Sequence, residues 1–173
     1  MERIIIVSNR LPVTVAKRKG ELKFKHSVGG LATGLSSFYD SYNSIWVGWP
    51  GIFSEKLNEK ERKVIKNKLN KEFSCYPVLL TQKDVDLYYN GFCNKTIWPL
   101  FHYFTQHTIF DKRLWNAYNR VNEIFCNKIL EIANANDIIW IHDYHLMLLP
   151  KLIREKLPEA KIGFFPSHSI SIL

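Results

Sequence analysis

The 173 residues carry 24 Lys and Arg against 16 Asp and Glu, a formal net charge of +8, with 46% hydrophobic and 14% aromatic side chains. That length and composition suit one domain with its own hydrophobic core and exclude a disordered or collagen-like chain. No apolar run approaches the roughly 20 residues that span a bilayer, so no membrane association is expected.

The opening residues, MERIIIVSNRLPV, hold an apolar run too short for a secretory signal. Cys75, Cys93 and Cys126 lie far apart without a CxxC spacing. Both features predict a cytoplasmic protein with reduced thiols, and they leave Asn94-Lys95-Thr96 as a chance match to the glycosylation pattern.

The run Ile4–Val7 reads as a buried strand, and the following SNRLP sets Arg10 in a loop at its end. A guanidinium there suits a phosphate, though a plain surface contact satisfies the position equally well. In SVGGLATGL, Gly29 and Gly30 precede a helical pattern, where bare backbone N–H groups can receive an anion. The stretch is neither GxGxxG nor a Walker loop, so a simple glycine turn stands beside that reading. A second strand, Ile45–Val47, leads into WVGWPG. In EKLNEKERKVIKNKLNKE, Leu57, Val64, Ile65 and Leu69 fall near helical spacing, and the alternating charges form the wet face of an amphipathic helix. The positive charge is therefore not read as a nucleic-acid footprint, although the surplus favours anionic ligands.

Val78–Leu80 predicts a third strand. The aromatics of DLYYNGFCNKTIWPLFHYF fit no single helical face; they serve a core or stack on a sugar ring. Leu114, Tyr118, Val121, Phe125, Ile129 and Ile132 make one clean helical stripe. The strand Ile138–Ile141 then runs into His142, Asp143, Tyr144 and His145. No further histidine pair or carboxylate stands at metal-ligand spacing, and no serine sits in a nucleophile elbow. What remains is a carboxylate and polar rings suited to gripping hydroxyls. A helix is expected from about Tyr144–Leu146 to Leu157, with Pro150 in its early turns and Pro158 ending it, followed by a strand at Ile162–Phe165. Strands alternating with helices predict a doubly wound parallel α/β sheet, whose ligands bind beyond the carboxyl ends of the strands.

In order along the chain, VSNRLPV, SVGGLATGL, WVGWPG, YYNGFCNKTIWPLFHY, WNAYNRVNEIF and DIIWIHDYHLMLLPKLIRE closely resemble the trehalose-6-phosphate synthase family. The resemblance implies a Rossmann-like half of a two-domain, GT-B type glycosyltransferase. It implies transfer of glucose from UDP-glucose to glucose 6-phosphate with retention and without metal or other cofactor. On the acceptor side it assigns Arg10 and Tyr89 to the phosphate, Trp98 to the sugar pocket and Asp143 to the glucose hydroxyls. On the donor side it assigns Gly29 and Gly30, with Trp49 close by. His142, Tyr144 and His145 are then left to shape the turn.

The match ends after KIGFF, where the family continues with a Leu-His-Ile-Pro-Phe-Pro stretch; His168 is near that histidine but out of register and receives no catalytic role. Residues 1–173 are accordingly expected to form a truncated, acceptor-side domain without the donor-binding domain. Such a chain is not expected to turn over alone. The alternative is a non-catalytic sugar-phosphate-binding subunit associated with a full-length synthase or a phosphatase subunit.

Overall fold

A computed structural model describes residues 3–27 and 43–166. Gly29, Gly30 and His168 lie outside the described residues.

Five strands form one parallel sheet: β1 (Ile4–Arg10), β4 (Ser44–Trp49), β5 (Cys75–Pro77), β6 (Ile138–His142) and β7 (Lys161–Phe165). Their spatial order is β5-β4-β1-β6-β7. β1 is thus central, and the chain leaves it first toward β4 and later toward β6. Between β1 and β6 lies the point where the strand order reverses, and in open α/β sheets a ligand crevice opens there.

β1 shows why such a strand is continuously apolar. Ile5 and Val7 face one core, Ile4 and Ile6 the other, and all four are buried. The first core packs against α4 (Lys112–Leu130) and α5 (Leu149–Lys156). From α4 it takes Tyr118, Val121, Phe125 and Ile129, four residues of the expected stripe. The second core is closed by α1 (Glu59–Phe73) and by a hairpin absent from the sequence expectation, β2 (Val13–Arg18) and β3 (Glu21–His26). Val13 and Val15 of β2 are buried there while Lys17 and Arg18 are exposed.

α1 begins on a capping box in which Asn58 accepts from the Glu61 backbone and the Glu61 carboxylate accepts from the Asn58 backbone. Ile65 and Leu69 are buried, but Val64 is 50% exposed and belongs to the charged face, and Leu57 is buried ahead of the helix. Several of the cations pair with nearby acids, Lys17 with Glu61 and Lys68 with Glu72 among them.

Two other boundaries differ from expectation. The third strand forms at Cys75–Pro77 instead of Val78–Leu80. Val78 and Leu80 are buried in the core even so, which is the apolarity the sequence displayed. After β6 the chain makes a 3-10 turn at Tyr144–Leu146, and α5 starts only at Leu149, with Pro150 in its first turn where no N–H is needed.

The aromatic stretch that resisted a helical face is a π-helix, Tyr88–Ile97, continuous with α2 (Gln82–Leu87) and α3 (Trp98–Phe101). The wider turn changes the angular step per residue, so an α-helical template cannot align its apolar positions. No described helix is long and apolar enough to cross a membrane.

Candidate functional site

The carboxyl ends of β1 and β6 carry the chemistry. At the end of β1 the register with β4 shifts between Val7 and Arg10, so that Arg10 pairs with Trp49. The indole N–H of Trp46 donates to Ser8 Oγ (2.6 Å), which donates to the Arg10 carbonyl (2.7 Å). Gly48 permits this close approach, since a Cβ there would stand 2.8 Å from the Ser8 carbonyl oxygen and 3.0 Å from the Leu11 nitrogen.

The Arg10 guanidinium lies over the Trp49 ring, 4.5 Å from its centroid, and beside Gly51, whose φ of +85° suits glycine. Trp49 is buried, and its indole N–H donates to the Ile52 carbonyl (3.0 Å). No described carboxylate forms an ion pair with Arg10, and its guanidinium makes no hydrogen bond to a described residue. Partial burial shifts its pKa down, opposed by the nearby Tyr89 phenol. A cation held flat between a ring and a bare backbone, facing a phenol, is suited to an incoming anion.

Across the reversal point stands the segment after β6. Asp143 has φ 77° and ψ 160°. Its Oδ1 accepts from the Tyr144 backbone N–H (2.8 Å), and its own N–H donates to the Phe165 carbonyl (2.9 Å). The carbonyls that follow are fixed from below. Tyr118 donates its hydroxyl to the Tyr144 carbonyl (2.7 Å), while the Asn122 amide (3.3 Å) and the Tyr88 hydroxyl (3.2 Å) reach the His145 carbonyl. The Tyr88 hydroxyl is also 3.2 Å from Asn9 Oδ1, so one buried phenol ties the ends of β1 and β6 together.

The π-helix lays its side chains over this gap. Tyr88 points inward and is fully buried; burial, above all, drives its pKa well up. Tyr89, the next residue, stacks on His145 at 5.4 Å, and His145 stacks on Tyr144 at 4.2 Å. Trp98, 37% exposed, lies 6.0 Å from the Tyr144 ring and 3.8 Å from that of His102. Burial also raises the Tyr144 pKa, reinforced by the charge of Asp143.

Arg10, Tyr89, Trp98 and Asp143 therefore gather at the carboxyl end of the sheet from three separate parts of the chain. Trp49, expected on the donor side, lies beneath Arg10. Asn9, Tyr88, Tyr118 and Asn122 hold the site without facing it and received no site role from the sequence, where Tyr118 reads as part of the helical stripe and Tyr88 as one of the core or sugar-stacking aromatics. Among the described residues no three His, Cys, Asp or Glu side chains converge as metal ligands would.

The sequence profile of glycosyltransferase family 20 matches residues 2–170. The alpha,alpha-trehalose-phosphate synthase [UDP-forming] A of Dictyostelium discoideum is 46% identical over 164 residues, covering 94% of this chain and 22% of that protein. A solved E. coli trehalose-6-phosphate protein bound with UDP-2-fluoro glucose superposes with a TM-score of 0.73 at 31% identity, covering 95% of this chain and 33% of the other. An alpha,alpha-trehalose-phosphate synthase (UDP-forming) from Burkholderia xenovorans, in complex with glucose-6-phosphate, gives 0.70 at 27%, with 96% and 33% covered. The chain thus spans about a third or less of the length of these relatives. On the profile match over nearly all of its residues, the chain belongs to glycosyltransferase family 20.

Proposed function

We propose that this chain is the acceptor-side domain of a UDP-forming trehalose-phosphate synthase and that its crevice binds glucose 6-phosphate. One observation carries the reading: a cation without a carboxylate partner among the described residues ends β1, and a carboxylate on a strained backbone follows β6, so the two stand at the ends of the strands that flank the reversal point of the sheet. Arg10 takes the phosphate, with the Tyr89 phenol beside it, and Trp49 acts as the platform that keeps the guanidinium flat. Asp143 accepts hydrogen bonds from the glucose hydroxyls, and Trp98 covers the sugar ring at the rim. Gly29 and Gly30 are assigned to the donor, UDP-glucose.

In the complete reaction, glucose passes to the acceptor with retention, and the contribution of this domain is orientation of the attacking sugar. Three free, buried cysteines support a cytoplasmic location. A second reading, a binding subunit that associates with a full-length synthase or a phosphatase subunit, draws support from β7. That edge strand leaves Phe164 39% and Phe165 53% exposed.

Calorimetric titration of the chain with glucose 6-phosphate tests the proposal. Saturable binding is expected, weakened about 10- to 100-fold by Arg10→Ala, since a hydrogen bond to a charged group contributes about 1.5–3 kcal/mol. Absence of heat with millimolar ligand defeats it.

A further inference from the structure

His145 raises a question that turn-shaping does not answer. Its side chain is only 10% exposed, and its ring lies between Tyr89 and Tyr144, nearly parallel to both, at interplanar angles of 14° and 25°. A phenylalanine would stack equally well there. An imidazole instead buries two ring nitrogens, neither of which has a hydrogen-bond partner. A buried polar atom left in that condition costs about 1–3 kcal/mol, so its presence calls for a compensating role.

Among the described residues, one charged group stands at ion-pair distance from the ring. Nδ1 stands 3.3 Å from Asp143 Oδ2, at ion-pair distance though not aligned as a hydrogen bond. The other oxygen of that carboxylate, Oδ1, is held by the Tyr144 backbone N–H. The imidazole edge therefore meets Oδ2, the carboxylate oxygen opposite the one that the Tyr144 N–H holds, while the imidazole face meets Tyr89. Its own backbone carbonyl is clamped by Tyr88 and Asn122, so the ring cannot drift from either contact.

We propose that His145 is the positioning residue of the acceptor site: Nδ1 carries the proton and orients Asp143 toward the sugar hydroxyls, while the ring face sets Tyr89 toward the phosphate. A single imidazole thereby fixes the spacing between the sugar end and the phosphate end of the ligand. The second half of this statement rests on the glucose 6-phosphate reading above; the contact between His145 and Asp143 does not.

Two measurements separate these parts. Long-range 1H–15N correlation spectra of the uniformly labelled, ligand-free chain report which ring nitrogen is protonated, with the His145 signals identified by their loss in His145→Asn. The proton is expected on Nδ1, with a change on Asp143→Gly. A proton confined to Nε2, or a signal indifferent to Asp143→Gly, overturns the proposal.

The second measurement is titration with glucose 6-phosphate and with inorganic phosphate. His145→Phe keeps the stack and removes the nitrogens; about a tenfold loss of glucose 6-phosphate affinity is expected, with phosphate affinity within about twofold of the parent. His145→Asn places an N–H near the Nδ1 position and is expected to recover glucose 6-phosphate affinity to within about threefold of the parent. Parental affinity in the Phe variant, or equal losses in Phe and Asn variants that circular dichroism shows to be folded, overturns the positioning role. Failure of the parent chain to bind glucose 6-phosphate defeats the functional reading instead, and the ring proton still decides the contact with Asp143.

Discussion

Asp143 sits at φ 77° and ψ 160°, a region that is essentially open only to glycine and costs other residues about 1–3 kcal/mol. Asp143→Gly releases that strain. It also loses the bond from the Tyr144 N–H to Oδ1, worth about 0.5–1.5 kcal/mol, and adds about 0.5–1 kcal/mol of backbone entropy to the unfolded chain. Asp143→Ala loses the same bond but keeps the strain. The Gly variant is therefore expected to be more stable than the Ala variant by about 0.5–2 kcal/mol, the strain less the entropy. With a typical urea dependence, that is a separation of about 0.5 M between unfolding midpoints. Both variants are expected to lose glucose 6-phosphate binding, so function and stability part company at this residue. Equal midpoints for Gly and Ala, or a lower midpoint for Gly, refute the claim that strain is held here.

Two further predictions bear on the same carboxyl end of the sheet. Gly48→Ala places a methyl group against backbone atoms of Ser8, Arg10 and Leu11, which have little room to yield; a loss of about 1–3 kcal/mol is expected, together with weaker phosphate binding through displacement of Arg10. Gly163→Ala, whose nearest neighbour is Trp140 Cδ1 at 3.9 Å, is the control and leaves the urea midpoint nearly unchanged. Burial lowers the pKa of His142 below its ordinary 6.5, with Asp143 opposing, so the unfolded chain binds the proton more readily. Stability is then full above about pH 6.5 and falls as pH drops toward the lowered value, with a slope of at most about 1.4 kcal/mol per pH unit; His142→Gln, followed by urea titration across this range, is expected to flatten it.

The sheet was legible because its strands are buried on both faces and therefore continuously apolar, as Ile4–Val7 and Ile138–Ile141 are. The hairpin escaped notice because β2 and β3 end in exposed charge: Lys17, Arg18, Lys23 and Lys25 dilute the alternation that Val13 and Val15 begin. Pro77 concealed the third strand, since proline argues against a strand interior, yet β5 is an edge where a missing donor is tolerated. Within the site, Arg10 and Asp143 stood out as polar residues at the ends of apolar runs. The roles of Tyr88 and Tyr89 depend on the winding of the π-helix, which turns one phenol into the core and the next toward the crevice. An α-helical template does not align with that winding, so spacing alone could not assign the two phenols.

A strained residue persists only where its surroundings over-determine it. Around Asp143 they do. Tyr118 accepts from the Met147 N–H (3.0 Å) while donating to the Tyr144 carbonyl; Asn122 and Tyr88 converge on the His145 carbonyl; and Phe165 of β7 receives the Asp143 N–H. These anchors come from α4, the π-helix and the neighbouring strand, so no single element can relax without breaking bonds to another. The 3-10 turn at Tyr144–Leu146 is thereby held short, and α5 is delayed to Leu149. Had the helix begun directly after β6, as its apolar spacing suggested, residue 143 would need no left-handed backbone, and its carboxylate would follow a different path from the strand. The late helix start and the strained aspartate are thus two consequences of one arrangement, which commits backbone energy to a fixed carboxylate direction before any ligand arrives.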